Sequence, residues 1–584
     1  MIKIIKDIFL IINKEEKKKI FILQFLILVN IFFEVISVSF IVYFSNIISG
    51  RNIEKLNFLT KIFNKLDLIN YFSFIVFIGL ICFSLLICAS IISIFFNFIY
   101  SKFGQIIGEN LSNRLFFFYL KKSWTEHISL SHSEISQKII NDAPVISYFI
   151  IVPLIQIIPR IAISLIMVFL IIYSNFAIGI FLISSLVIIY SFLFKKLQSR
   201  FAENGKIISE ISEKRIKLIN ESLGSIKELT LSAKKTNIFN IFKNLSTTHF
   251  EAHASNQVLT ILPKYVAELF LYAFIFLVFY YFFFIENFNL EQIFSLFIIY
   301  IFALAKLIPN AHQIFQCLSS FTIGTNVFQK LKKDFINTMN ISDLRFSNEE
   351  NSTLKNNFFL KKEIVLKNLS YKYPEAKKFL FDKISLSFPA SRVIGIYGET
   401  GSGKTSLVDL ITGLILPTEG QIIVDNQKID DSNISDFQKT VGYVSQNPYF
   451  FNNSITENIT FGLSSKDIDS NKLNQAINIS CLTDVINNLP DGLNSNIGER
   501  GHKLSGGQRQ RLAIARAVYN NQKQIYIFDE STSALDETTE KLLLKNVIKT
   551  FREKTIFFIS HSSGVKNICD IIYKVENGNV YLEK

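Results

Sequence analysis

No two of the five cysteines (Cys82, Cys88, Cys317, Cys481, Cys569) form a CxxC pair, so neither a disulfide framework nor a zinc site is indicated. Such usage fits a reducing, cytoplasm-facing environment. One tryptophan and three methionines stand against 59 phenylalanines. Together with abundant Ile, Asn and Lys, that skew reflects AT-rich coding more than function, and no single aromatic carries weight by itself. Lysine and arginine are absent from two short turns, near residue 175 and over 286–292, which separate long apolar stretches.

The chain is rich in apolar residues. Its 584 residues are too many for one hydrophobic core. Hydrophobic residues make up 49%, and the mean hydropathy of +0.32 points to a membrane part. Six stretches before residue 320 are long enough to span a bilayer: roughly 20–45, 72–100, 145–173, 176–194, 258–285 and 291–312. The net charge of +13 would suit nucleic-acid binding, but its distribution argues otherwise. Lys and Arg crowd into 1–19, 101–138 and 195–243, each next to an apolar run. The positive-inside rule then puts both termini and both long loops in the cytoplasm. The first apolar run is too long for a cleavable signal and lacks a small-residue cleavage site.

Both long loops carry helical periodicity, with polar breaks at Glu126–Ser133 and Asn220–Ser225. They read as membrane helices continued into cytoplasmic hairpins. On the outer side, Leu56, Leu59, Ile62, Phe63 and Leu66 share one face of a short amphipathic helix. Beyond about residue 325 the composition changes. An Asn/Ser/Lys-rich linker leads into apolar runs (RVIGIYG, TVGYVSQ, QIYIFDE, KTIFFIS) that alternate with helical segments, the pattern of an α/β domain with a mainly parallel sheet. The expected division is 1–325 transmembrane, 326–357 linker and 358–584 nucleotide-binding.

GETGSGKT, residues 398–405, follows a strand and opens a helix, the context of a phosphate-binding loop. Gly398, Gly401 and Gly403 let the backbone N–H groups of this segment, including those of Glu399, Thr400 and Ser402, turn inward. The helix start through Ser406 adds favourable dipole charge. Lys404 would bridge the outer phosphates of ATP, and Thr405 would offer its hydroxyl to Mg²⁺. QIYIFDE supplies a buried strand ending in Asp529, which can hold Mg²⁺ through water, and Glu530, which can polarise an attacking water.

These residues, with Gln446 in YVSQNPYF, LSGGQ at 504–508, SALD at 533–536 and His561 in FFISHS, make the chain resemble the ATP-binding cassette (ABC) transporters, of the exporter type with fused membrane and nucleotide domains. The resemblance implies a six-helix all-α membrane domain followed by an α/β P-loop domain, and an ATPase that works as a dimer. Each ATP would lie between the phosphate loop of one copy and Ser505, Gly506, Gly507 and Gln508 of a second copy or of a related half-transporter. It also implies that Gln446 reaches Mg²⁺, that His561 contacts the γ-phosphate, and that an aromatic stacks on adenine. Tyr373 occupies that place, with Tyr371 two residues away. Ser391 stands where the family usually has glycine.

The resemblance further implies that the tips of the two cytoplasmic hairpins couple ATP binding to the spans. Among charged residues within the apolar runs (Glu34, Arg160, Lys264, Lys306), Arg160 and Lys264 are candidates for an anionic substrate head. The loop texts EHISLSHSEISQKI and NESLGSIKELTLSAKKTNIFNIF are similar to the branch that flips lipid-linked oligosaccharides. The expected cargo is therefore an amphiphilic lipid or lipid-linked oligosaccharide at the inner membrane, with peptides or drug-like compounds as the alternative. Partners are membrane lipid and a second half-transporter, and no nucleic acid.

Overall fold

The computed structural model describes residues 2–48, 71–174, 176–280, 283, 290–339, 359–373, 376–520, 522–560 and 566–584. The expected outer helix over 51–70, most of the linker, and His561 lie outside the described residues. The chain divides into two compact units: Met1–Lys122 with Leu130–Arg345, and Phe346–Lys584, to which Ser123–Ser129 is assigned.

The first unit is helical throughout. Its elements are α1 (Ile2–Ile11), α2 (Lys14–Ile48), α3 (Tyr71–Leu120), α5 (His132–Ser136), α6 (Ala143–Ile146), α7 (Val152–Ser174), α8 (Phe176–Gly224), α9 (Ile226–Leu231), α10 (Lys235–Tyr280) and α11 (Leu290–Met339), while α4 (Trp124–Ser129), between α3 and α5 in the chain, belongs to the second unit. Among the described residues, five helical stretches are long and apolar enough to cross a membrane, and the sixth expected span lies inside α11. The α3 helix has 50 residues and so measures ~75 Å, well beyond the ~45 Å of a bilayer with its headgroups. The surplus is long enough to carry the helix well past a bilayer. Large apolar side chains such as Leu80, Phe83, Ile91, Phe95 and Phe98 are at least 60% exposed. A stripe of that size suits lipid rather than water.

Two short π-helical segments flank α6: Gln137–Asp142 precedes the third apolar stretch and Ser147–Ile151 lies near its start. Outside the spans, polar ties hold the helices together. Lys330 lies 2.6 Å from Glu213 and 3.6 Å from the buried Asp142, and Lys332 lies 2.7 Å from Asp7. The expected linker start at 326 requires correction. The α11 helix runs on to Met339 because Val327, Phe328, Leu331 and Phe335 fall on one face and bury into the unit's core.

The second unit holds two sheets. The larger has the order β10-β9-β3-β8-β7-β6, with β3 (Val393–Gly398), β6 (Val441–Val444), β7 (Ile525–Asp529), β8 (Thr555–Ile559) and β9 (Ile571–Glu576) parallel, and β10 (Asn579–Leu582) antiparallel at its edge. Strands β7 and β8 are buried at every residue, which explains their unbroken apolar runs. The second sheet departs from the mainly parallel expectation. β1 (Glu363–Tyr371), β2 (Phe381–Pro389), β4 (Glu419–Val424) and β5 (Gln427–Lys428) form a four-stranded antiparallel layer. The helices that matter for the site are α12 (Lys404–Ile411), which follows β3, and α17 (Gly506–Tyr519), which ends just before β7. The others are α13 (Ile434–Gln438), α14 (Ile455–Thr460), α15 (Ser470–Ile479), α16 (Thr483–Asn487) and α18 (Glu537–Thr550).

Candidate functional site

The phosphate loop leaves the end of β3 at Gly398 and enters α12 at Lys404. A Cβ on Gly398 would stand 2.3 Å from the Val575 carbonyl and 2.7 Å from Ser402 Oγ, so only glycine fits there. Gly401 and Gly403 adopt φ of +82° and +104°, conformations that side chains resist. The loop wraps the buried Lys404, whose ammonium donates to the Gly398 and Glu399 carbonyls at 2.9 Å each. Burial pushes the Lys404 pKa down, while Glu530 and Asp529 oppose the shift. Ser402 Oγ is buried and without a hydrogen-bond partner among the described residues, and Thr405 is exposed at the helix start. An orphaned hydroxyl beside a lysine and a helix N-terminus suits a phosphate oxygen.

Asp529, the last residue of β7, is 4% exposed and accepts from Tyr443 Oη at 3.2 Å. Burial raises its pKa. Asp409, on the inner side of α12, is pushed up to about 6 by burial and by the neighbouring Asp529. Glu530 lies just past the strand in a left-handed conformation, φ +45°. Its carboxylate accepts from Gln446 Nε2 at 2.6 Å, which brings together two residues named from the sequence.

Ser505 caps α17 through a capping box: its hydroxyl accepts from Gln508 N at 3.3 Å, and Gln508 Oε1 accepts from Ser505 N at 2.9 Å. A Cβ on Gly507 would come within 2.9 Å of the Ala534 carbonyl, so close packing against the loop after Glu530 already requires a glycine there. Gln510, absent from the sequence reading, joins the two segments. Its Nε2 donates to the Glu530 carbonyl (3.3 Å) and Ser533 Oγ (3.0 Å), and its Oε1 accepts from Ala534 N (2.9 Å).

Tyr371 is buried, whereas Tyr373 is 37% exposed and hydrogen-bonded to Ser406 Oγ at 2.8 Å. The exposed ring is the one able to stack on a base. Ser391 takes φ +53°, and its hydroxyl donates to the Glu553 carbonyl at 2.9 Å. In the helical unit, Arg160 donates to Asn310 at 3.2 Å, while Lys264 faces Glu268 at 3.8 Å. Glu34 is buried and meets Ser93 Oγ at 3.0 Å.

A lysine-filled phosphate loop, a carboxylate pair at the end of β7 and a serine-capped glycine pair tied to it define an ATP-binding cassette. Residues 381–533 accordingly match the family described as ABC transporter. Curated relatives include the ATP-dependent lipid A-core flippases of Cupriavidus metallidurans and Ralstonia nicotianae, 37% and 36% identical over 219 residues. The alpha-hemolysin translocation ATP-binding protein HlyB of Escherichia coli is 38% identical over 219 residues. The match spans 37% of this chain and 37% of each flippase, or 30% of HlyB. A solved structure of a bacterial Atm1-family ABC exporter with ATP bound superposes with a TM-score of 0.75 over 98% of this chain and 94% of that one, at 18% identity. The chain thus has the fold of a fused ABC exporter half: a helical membrane unit and an ABC cassette.

Proposed function

We propose that two copies of this chain, or one copy and a related half-transporter, close on ATP, hydrolyse it, and drive a lipid or lipid-linked oligosaccharide across the inner membrane, with the cassette in the cytoplasm. The observation that carries the reading is the Gln446–Glu530 contact, because it joins the expected sensor to the expected base at the mouth of the phosphate loop. Lys404 takes the outer phosphates in place of its loop carbonyls. Glu530 orients a water and receives its proton. Ser505 and the N–H groups of Gly506 and Gly507 meet the γ-phosphate bound to the other copy.

The Thr405 hydroxyl, the Asp529 carboxylate and the Gln446 carbonyl form an all-oxygen donor set that fits Mg²⁺. When bound, the ion neutralises charge on the phosphates. Closure and release bias a two-state membrane unit. The tips near α4 and α9 are the coupling segments in this reading.

The cassette does not select the cargo, since a lipid A-core flippase and an alpha-hemolysin translocation ATP-binding protein match it at 37% and 38% identity. The helical unit favours an anionic head: Arg160 has only a neutral hydrogen-bond partner among the described residues, while Lys264 is partly compensated by Glu268. Glu530→Gln should retain ATP binding, abolish turnover, and trap an ATP-dependent dimer visible by size-exclusion chromatography. Undiminished ATPase activity in that variant would refute the assignment.

A further inference from the structure

Between α7, α8 and α11 the helical unit leaves a groove of about 460 Å³, whose lining includes neither Arg160 nor Lys264. Its α8 wall is a single helical face of Ile183, Leu186, Val187, Tyr190, Phe194 and Lys195, at the three- and four-residue spacing that stacks side chains along a helix. From Ile183 to Lys195 the helix rises ~18 Å, close to the ~15 Å depth of one leaflet of a bilayer core. Across the groove, Leu307, Ala311, Ile314 and Leu318 repeat the pattern on α11.

Four polar residues, Ser164, Tyr190, Ser191 and Lys195, interrupt these apolar walls. The Ser164 and Tyr190 hydroxyls are buried and have no hydrogen-bond partner among the described residues. Lys195 is exposed at one end, where the α8 sequence continues into the basic run 195–243. Pure hydrocarbon would leave both hydroxyls unsatisfied and the ammonium without a counter-charge. A chain joined by an ester to a phosphate-bearing head brings the missing acceptors in the right order, from apolar tail to carbonyl to anion.

We propose that this groove holds one acyl chain of an ester-linked anionic phospholipid from the leaflet on the basic side, with an ester carbonyl accepting from Tyr190 and the phosphate against Lys195. The assignment does not require this lipid to be the transported cargo. It gives the α7–α8–α11 face a resident lipid whose head sits where α8 leaves the membrane.

The test uses the full chain reconstituted with equal amounts of phosphatidylglycerol and phosphatidylcholine, then examined by native mass spectrometry in detergent. Wild type should retain phosphatidylglycerol in preference. Val187→Trp, at an exposed groove position, should lower total bound lipid several-fold. Lys195→Gln should keep lipid but lose the preference for the anionic head. Equal retention by wild type and Val187→Trp would overturn the proposal. So would an unchanged headgroup preference in Lys195→Gln, which stands as the second test if Val187→Trp fails to fold. Disulfide cross-linking between copies bearing Val187→Cys would also overturn it, by showing that protein covers the groove. Basal ATPase, measured alongside, separates the two readings: lipid retention without ATPase activity would count against the proposed function and leave the groove assignment standing.

Discussion

Replacing Gln510 by leucine keeps the side chain's bulk and removes all three of its hydrogen bonds. The residue is 7% exposed, so the pocket accepts an apolar side chain. Neutral hydrogen bonds contribute ~1 kcal/mol each, and with Ser533 and Ala534 open to solvent the total falls to about 2 kcal/mol. One of the bonds ends on the Glu530 carbonyl. That backbone occupies a left-handed conformation costing ~1–2 kcal/mol for a residue with a Cβ, and it persists only while its surroundings hold it. If about 1–2 kcal/mol of this positioning is lost in the transition state, kcat falls roughly 5- to 30-fold, at 1.36 kcal/mol per tenfold. KM for ATP stays near its starting value because Lys404 and its loop are untouched. The assay is steady-state ATPase of the reconstituted full chain, with nucleotide binding measured separately. Gln510→Glu, which keeps the acceptor for Ala534 N, should fall between the two. An unchanged kcat, or a KM rising in step with the loss, would refute the argument.

Ser505→Ala removes the cap of α17 and should cost ~1 kcal/mol, seen as faster proteolysis near the signature segment in nucleotide-free protein. Ser391→Ala keeps the strained backbone but loses the bond to Glu553, and should be destabilised by ~1 kcal/mol. Ser391→Gly loses the same bond but relieves ~1–2 kcal/mol of strain, so the thermal midpoints should order as Ala below Gly and Ser, the latter two nearly equal. Arg160→Ala should lower lipid-stimulated ATPase more than basal activity; an equal loss of both argues against an anionic head at that site.

The strand-forming runs, the glycine spacing of the phosphate loop and the long apolar stretches were legible because each is a local pattern with one physical meaning. The antiparallel layer of β1, β2, β4 and β5 was not, since it is held together by the pairing of β1 with β4, which joins segments on either side of β3 and α12. Nor did composition mark the π-helical segments around α6, whose residues are ordinary helix formers. The helical end of α11 was read as linker because its polar residues hid the spacing of Val327, Phe328, Leu331 and Phe335. Asp409 gave a faint signal, a lone acid in the apolar run SLVDLI, which acquires meaning only when Asp529 is placed beside it. Gln510 gave none beyond following the glycines, because its role is to reach a backbone carbonyl.

The tie from α17 through Gln510 to Glu530 has a mechanical consequence. In the head-to-tail pair proposed above, the glycines at the start of α17 would serve the nucleotide held by the neighbouring copy, while Glu530 would serve the nucleotide held at home. Both are mounted on the same few residues of one chain. Seating one ATP would therefore tug on the base for the other, and the paired sites would share a hinge instead of firing alone.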